Sequence, residues 1–419
     1  MIRNLQPKKI AFISSFLPRK CGIATFTSDL IKNVRTAGGV EFSPSVFAMQ
    51  SGDEHTYSQP VEFVIRRDVA ADYIDAADYS NSKRVDIVSL QHEFGLFGAE
   101  AGLYITLLLE RIKAPVITTL HTILEKPSPW YFDALMEVCE ASETIVVMNE
   151  RGVDMLMDIY AVPERKIRLI PHGIPDMPFL RASSRRRSLS LSGRKIILTF
   201  GLIGRNKGIE VMLKAMPAIV RTHPEVLYIV LGTTHPEVVK NEGYSYREEL
   251  FQLVEELGLQ NHVVFHEKYV SDTELQEFLY ASDIYVTPYL YKEQLTSGTL
   301  AFAVGTGKAV VSTPYWAAEE LLAENRGKLV AFGDSEQMAS TVIELLDDDT
   351  ALSQMQLRAY QYGRAITWPK VGRAYWNLLT HFEQPTMETA VPERYPDIKE
   401  LQPVMSAGAD IDHSMSLSS

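Results

Sequence analysis

Two cations sit among three glycines in LTFGLIGRNKGIEVML: Arg205 and Lys207, with Gly201, Gly204 and Gly208. An apolar strand leads into this loop and an amphipathic helix leads out. Free backbone N–H groups at a helix start, together with two cations, make an anion site suited to a diphosphate. A glycine-tolerant turn with exposed charges has the same composition. A second station is YKEQLTSGTLAFAVGTGKAVVSTPYW, residues 291–316. It places a helix start near Thr296, Ser297, Gly298 and Thr299, beside Glu293, Gln294 and Leu295. Carboxylate and amide side chains there can hold sugar hydroxyls. Thr296 and Ser297 can also cap the orphan amides of the helix, and the two roles are compatible.

The first half carries its own candidates. FLPRKCGIATFTSDL, residues 16–30, is a strand-to-helix turn with one glycine, Gly22, where a dinucleotide fingerprint would carry three. Arg19 and Lys20 stand beside it, as phosphate contacts or as exposed loop charges. His121 ends VITTLH, and His92 and Glu93 follow IVSLQ. A histidine at a strand end that faces a cleft leans toward function, whereas a lone histidine is usually structural. His172 in LIPHG falls at a domain edge, where a hinge contact is expected. There is no GxxxxGK[ST] loop, no HExxH and no paired CxxC, which argues against a P-loop enzyme and a zinc site. The one D-x-D is Asp410-Ile411-Asp412 in the tail, and Asp347-Asp348-Asp349 reads as a solvated helix end, so no metal is expected.

These residues need a frame to position them. The 419 residues suit two domains, and 46% apolar with 22% charged residues is a globular balance. A net charge of −12 disfavours a nucleic-acid surface and leaves at most peripheral membrane contact. Cys21 and Cys139 could pair on paper, but two thiols in a reducing cytosol is the expectation. MIRNLQPKK has no apolar signal-peptide core, and no apolar run approaches the ~20 residues of a membrane span, so a cytoplasmic protein is expected.

Strand patterns fall at 9–14, 44–49, 61–65, 85–90, 115–120, 143–148 and 167–170, and helical ones between most of them, for example 23–36, 100–112, 129–140 and 150–160. The strands are β-branched without strict alternation, as buried parallel strands are. The rhythm stops in a Pro-, Ser- and Arg-rich stretch at 175–194, whose RRR run reads as a solvated loop. A second series follows, with strands at 195–200, 226–231, 262–265, 283–287, 309–312 and 328–331 and helices at 208–221, 246–257, 272–281, 297–305 and 335–346. Residues 365–382 put Trp368, Val371, Tyr375, Leu378 and Leu379 on one helical face, which should dock on the first domain. The division expected is 1–178, a linker at 179–194, 195–364, a crossover helix at 365–383 and a disordered tail at 384–419.

Taken together the chain resembles the retaining glycosyltransferases of family 4, the group 1 class with the GT-B fold: α/β, two Rossmann-like doubly wound domains facing across a cleft. The resemblance covers roughly residues 8–382 and rests on the first glycine loop, TLH at 119–121, IPHGI at 170–174, GLIGRNKG, the EQLTSGTLAFAVGTGKAVVST block and the terminal W-P helix. LPRKCGIATFTSDL, TLHTILEKPSP and STPYW look closest to a branch of bacterial mannosyltransferases. It implies hexosyl transfer from a nucleotide-sugar of the GDP-mannose or UDP-glucose type to a glycan or other hydroxyl acceptor, with mannose first and no cofactor or metal. Lys207 matches the family's diphosphate lysine, and His121 the histidine near the transferred sugar. Gly22 matches the first-loop glycine. Leu202 stands where the family has arginine, with Arg205 as the candidate replacement. Of the family's E-x7-E pair, the first Glu falls on Gln294, beside Glu293, and the second on Phe302, or on Ala301 if Glu293 is the first. The ribose-binding carboxylate is thus missing, and Glu320 is a possible substitute. A GT-B phosphorylase or epimerase, or a non-catalytic scaffold, are the rival readings.

Overall fold

The computed structural model describes residues 7–52, 55–180, 186 and 189–381. The first sheet holds β1 (Lys8–Ser14), β2 (Phe42–Gln50), β3 (Val61–Arg66), β4 (Ile87–His92), β5 (Val116–Leu120), β6 (Thr144–Val147) and β7 (Ile167–Leu169). All are parallel, in the order β3-β2-β1-β4-β5-β6-β7. Its helices are α1 (Gly22–Gly38), α2 (Ala70–Lys83), α3 (Tyr104–Leu109), α4 (Pro129–Ala141) and α5 (Glu150–Asp158). The second sheet holds β8 (Lys195–Phe200), β9 (Val226–Leu231), β10 (Val263–His266), β11 (Ile284–Thr287), β12 (Ala309–Ser312) and β13 (Lys328–Leu329), in the order β10-β9-β8-β11-β12-β13. Its helices are α6 (Ile209–Thr222), α7 (Pro236–Glu242), α8 (Ser245–Glu256), α9 (Asp272–Ala281), α10 (Gly298–Gly305), α11 (Trp316–Leu321), α12 (Ser335–Asp347) and α13 (Asp349–Gly363). A last helix, α14 (Trp368–His381), follows.

β4, β5 and β9 are buried along their whole length; β9 is a continuous apolar run, whereas β4 and β5 also bury Ser89, Gln91, His92, Thr118 and Thr119. In each sheet the strand order reverses once, between β1 and β4 and between β8 and β11. Loops leaving the carboxyl ends on either side of such a reversal diverge and leave a crevice. The turn after β1 and the segments after β4, β8 and β11 carry nearly all of the chemical candidates, so topology brings them together.

The crossover helix α14 returns to the first sheet. Trp368, Val371, Tyr375 and Leu379 join the core with Ile10, Phe12, Phe26, Leu30 and Ile117, while Leu378 packs only at its edge. Close approach of α1 and α14 needs two glycines. A Cβ on Gly372 would lie 2.6 Å from the backbone of Asn33, and one on Gly38 would lie 2.8 Å from the Trp376 ring.

Two expectations change. The helix expected over 100–112 is a 3-10 turn, Glu100–Gly102, followed by the short α3, because Ala101 (φ 52) and Gly102 (φ +79) break the helical path. Asp347-Asp348-Asp349 is exposed at a helix end, as expected; Asp348 also caps α13 and Asp349 lies 3.0 Å from Lys195 Nζ. Of the RRR run only Arg186 is described, and it is bound to Asp283 and the Ala281 carbonyl instead of facing water. Asp410-Ile411-Asp412 lies outside the described residues. Cys21 and Cys139 are both free.

Candidate functional site

The glycine loop after β8 is shaped by one position above all. Gly208 adopts φ +61, and a Cβ there would sit 2.0 Å from the Pro288 carbonyl oxygen. The loop can therefore lie against the end of β11, where Leu290 N–H donates to Asn206 O at 3.1 Å. That contact brings Lys207 over the ring of Tyr289, with Nζ 4.0 Å from the centroid. Tyr289 is 4% exposed and stacks on Tyr315 at 4.8 Å. Its hydroxyl lies 3.3 Å from Thr299 Oγ1, which in turn lies 3.3 Å from Ser297 Oγ. Ser297 is the N-cap of α10, its Oγ accepting from Leu300 N–H at 3.3 Å. Burial pushes the Tyr289 phenol up, but the Lys207 ammonium and the Thr299 and Ser297 hydroxyls outweigh it and hold the phenol below the usual tyrosine value. An ammonium, a phenol, two hydroxyls and a helix N-terminus thus converge, a geometry that can receive a diphosphate. In the sequence Tyr289 had only its place just after the strand expected at 283–287, and nothing there announced chemistry.

Several candidates are committed elsewhere. Arg205 does not join Lys207. Its Nε donates to Glu242 at 2.9 Å, and its Nη1 and Nη2 form a fork with Glu249 at 2.8 and 2.6 Å, over the ring of Tyr246. Two residues along a single 3-10 turn are enough to send the two cations apart. Glu320, the possible ribose carboxylate, instead accepts from the Glu150 N–H at 3.1 Å, capping α5 of the first domain; burial pushes its carboxyl up. Thr296 does not cap α10 but reaches across to donate to His121 O at 3.2 Å. Gln294 Nε2 donates to Thr296 O at 2.6 Å, Leu295 is buried among first-domain residues, and Glu293 is exposed. Gly204 is extended, with its Cβ position 3.2 Å from Asn206 Oδ1, and Gly298 closes on His172, whose Nε2 would lie 3.0 Å from an added Cβ.

In the first domain His121 donates from Nε2 to Gln91 Oε1 at 3.0 Å, since an amide oxygen only accepts. Burial, then the neighbouring His172 and His92, bring its pKa down to about 3, so the ring is neutral. Glu93 is half-buried and accepts from Thr122 Oγ1 at 2.6 Å; burial raises its pKa. His92 is 1% exposed, packed on Phe94 and Phe97, so it is a core histidine and not a phosphate or acceptor contact. His172 packs on Phe26, Phe302 and Trp368, at the meeting of both domains and the crossover helix, as its domain-edge position suggested. Gly22 opens α1, whose N-cap is Cys21, and a Cβ there would meet nothing within 4 Å among the described residues. Its glycine answers no intramolecular crowding. Arg19 is half-buried, and Lys20 is exposed with its Nζ 5.8 Å from the ring of Tyr269 of the second domain. Where residues 294–297 meet the first domain, Asn149, His172, Ser297 and Glu320 line a cavity of about 30 Å³, room for one water. Among the described residues no group of three or more His, Cys, Asp or Glu side chains could hold a metal ion. No described helix is long and apolar enough to cross a membrane.

Two family models match the chain. The model for glycosyl transferases group 1 covers residues 181–365, and that for glycosyltransferase family 4 covers residues 22–176. A phosphatidyl-myo-inositol mannosyltransferase of Mycolicibacterium smegmatis is 28% identical over 218 residues, 50% of this chain and 49% of that protein. A mannosylfructose-phosphate synthase of Agrobacterium fabrum is 24% identical over 179 residues, 41% of this chain. The chain thus spans 38% to 49% of the length of these curated relatives. Among solved structures, the Anabaena protein HepE, crystallised in complex with UDP, has a TM-score of 0.69 at 15% identity, over 89% of this chain and 99% of its own. That likeness shows the GT-B architecture.

Proposed function

This chain belongs to the glycosyltransferases of family 4 and group 1, and from that membership we propose that it moves a hexosyl group from a nucleotide-sugar to a hydroxyl acceptor with retention of anomeric configuration. The observation that carries the proposal is the convergence of Lys207, Ser297, Thr299 and the α10 N-terminus at the switch point of the second sheet. Charge gathers on the diphosphate as the anomeric C–O bond breaks. The Lys207 ammonium and the helix amides stabilise that charge, a role this reading assigns to the protein rather than to a metal ion. The acceptor oxygen bonds the anomeric carbon on the face the diphosphate leaves, and its proton passes to a diphosphate oxygen. His121, held neutral, lines the other wall. The open space before Gly22 admits a ligand group near Arg19 and Lys20.

Mannose from a guanosine donor is the first choice, because two relatives are named for mannosyl products. A uridine donor is the competitor, since HepE was crystallised with UDP. A thermal-shift screen against GDP, UDP, ADP and their sugars separates them. A ligand at about 100 times its Kd adds ~2.7 kcal/mol of stability, a rise of a few degrees. One nucleotide should give that rise, and Lys207→Ala should abolish it while turnover falls ~10²–10³-fold. Normal turnover in Lys207→Ala would overturn the diphosphate assignment. No shift with any nucleotide would favour a non-catalytic scaffold.

A further inference from the structure

A departing diphosphate needs more than one hydrogen-bond donor aimed at it. Leu202 stands in the loop where the resemblance calls for arginine, and Arg205 is held by Glu242 and Glu249. The group that does stand beside Lys207 is the phenol of Tyr289.

Its placement is tightly determined. Tyr315 stacks on the ring at 4.8 Å with an interplanar angle of 16°, which leaves the other face to the Lys207 ammonium at 4.0 Å. The Tyr289 carbonyl oxygen accepts from Thr313 Oγ1 at 2.6 Å, fixing the backbone. The hydroxyl therefore has one direction to point, toward the first turn of α10, where Thr299 Oγ1 lies 3.3 Å away. At that length the contact is weak for an O–H···O bond and easily exchanged for a stronger acceptor. A phosphate oxygen bound at the α10 N-terminus is such an acceptor.

We propose that Tyr289 is a second side-chain donor to the leaving diphosphate, beside Lys207 and the α10 amides: its ring face seats Lys207, and its hydroxyl donates a hydrogen bond to the phosphate oxygen that departs with the nucleotide. The proposal rests on the glycosyltransferase reading and assigns to Tyr289 the place left open by Leu202. A phenol suits a site that must both hold an ammonium by its π-face and donate at its edge, which leucine or phenylalanine cannot do together.

Two variants divide the roles. Tyr289→Phe keeps the ring and removes the hydroxyl, and Tyr289→Leu removes both. Calorimetric titration with GDP and UDP reads binding without needing an acceptor. Release of nucleoside diphosphate from GDP-mannose and UDP-glucose reads turnover. Tyr289→Phe should bind the preferred nucleotide within ~3-fold of wild type and lose ~10–100-fold in kcat at unchanged KM and unchanged Tm. Tyr289→Leu should lose affinity as well, because Lys207 loses its seat. A split between kcat and KM is not what a merely structural tyrosine would give. Wild-type kcat in Tyr289→Phe, with the nucleotide still bound, would overturn the role of Tyr289 and leave the transferase reading standing. Wild-type protein that neither binds nor turns over any nucleotide would overturn both.

Discussion

His92 makes the clearest prediction among single residues. Neither ring nitrogen has a hydrogen-bond partner among the described residues, and burial brings its pKa down to about 4 from the ordinary 6.5. The unfolded chain therefore binds a proton that the folded chain refuses. Stability from this group is complete above pH 6.5 and is lost as pH falls toward 4, by about 3 kcal/mol. His92→Phe removes the titration and keeps an aromatic ring between Phe94 and Phe97. Urea midpoints at pH 7 and pH 4.5 should converge in the variant relative to wild type, although His121 and His172 still weaken both in the same direction. An equal acid loss in both proteins would refute the assignment. The two strand-end histidines looked alike in sequence. Inward or outward direction is set by which residue ends the strand: His92 is the last residue of β4, whereas His121 stands one past β5 and is only half-buried. The loop cations looked alike too, and the acids that claim Arg205 lie 37 and 44 residues away, on α7 and α8. Lys207, by contrast, stays over the Tyr289 ring.

Elements were the most legible level. Each of the thirteen strands among the described residues overlaps a run expected from sequence, because strands covered on both faces are rich in apolar residues even where, as in β4, polar ones are buried too. The helices α2, α7, α11 and α13 are not among those named from sequence. In AADYIDAADYSNSK the buried face is made by Tyr73 and the small residues Ala76, Ala77 and Ser80, so no stripe of large apolar side chains marks it. The crossover helix was legible from its apolar face, but its seating was not: that depends on Gly372, which lets α14 touch the α1 backbone at Asn33. Gly372→Ala places a methyl 2.6 Å from that backbone. Neither helix can give without moving the core it shares, so the substitution should cost ~1–3 kcal/mol by overpacking, despite the better helix propensity of alanine. Chemical denaturation should show a lower midpoint with the slope unchanged. A neutral or stabilised variant would mean that α14 is not seated as tightly as this contact requires.

At the scale of the molecule, the two sheets are joined by polar contacts that no local pattern could reveal, since their partners are far apart in sequence. Asn149 is at the centre of them. Its Oδ1 accepts from Gly152 N–H at 2.8 Å and caps α5, while its Nδ2 donates to the Leu295 carbonyl of the second domain. One residue away the Glu320 carboxylate accepts the Glu150 N–H, and Arg151 lies over the Trp316 ring at 4.4 Å. A hexosyl group does not fit the space of about 30 Å³ that Asn149, His172, Ser297 and Glu320 line, so binding a sugar at this seam would require the two domains to part. Asn149→Asp tests that motion without disturbing the fold. The new carboxylate still accepts from Gly152 and, at a helix N-terminus, is a good cap. It cannot donate to Leu295, and it sets a negative charge against that carbonyl and near Glu320. Losing the bond and leaving the carbonyl unpaired costs the closed arrangement ~1–3 kcal/mol, about a 5- to 150-fold shift toward the open one. The expected outcome is a larger radius of gyration by small-angle scattering with little change in Tm. Asn149→Ala, which loses the cap as well, should lower Tm in addition. If Asn149→Asp scatters like wild type, the contact with Leu295 does not hold the domains together, and closure must rest on the apolar packing of Leu295 and Trp316 against the first domain.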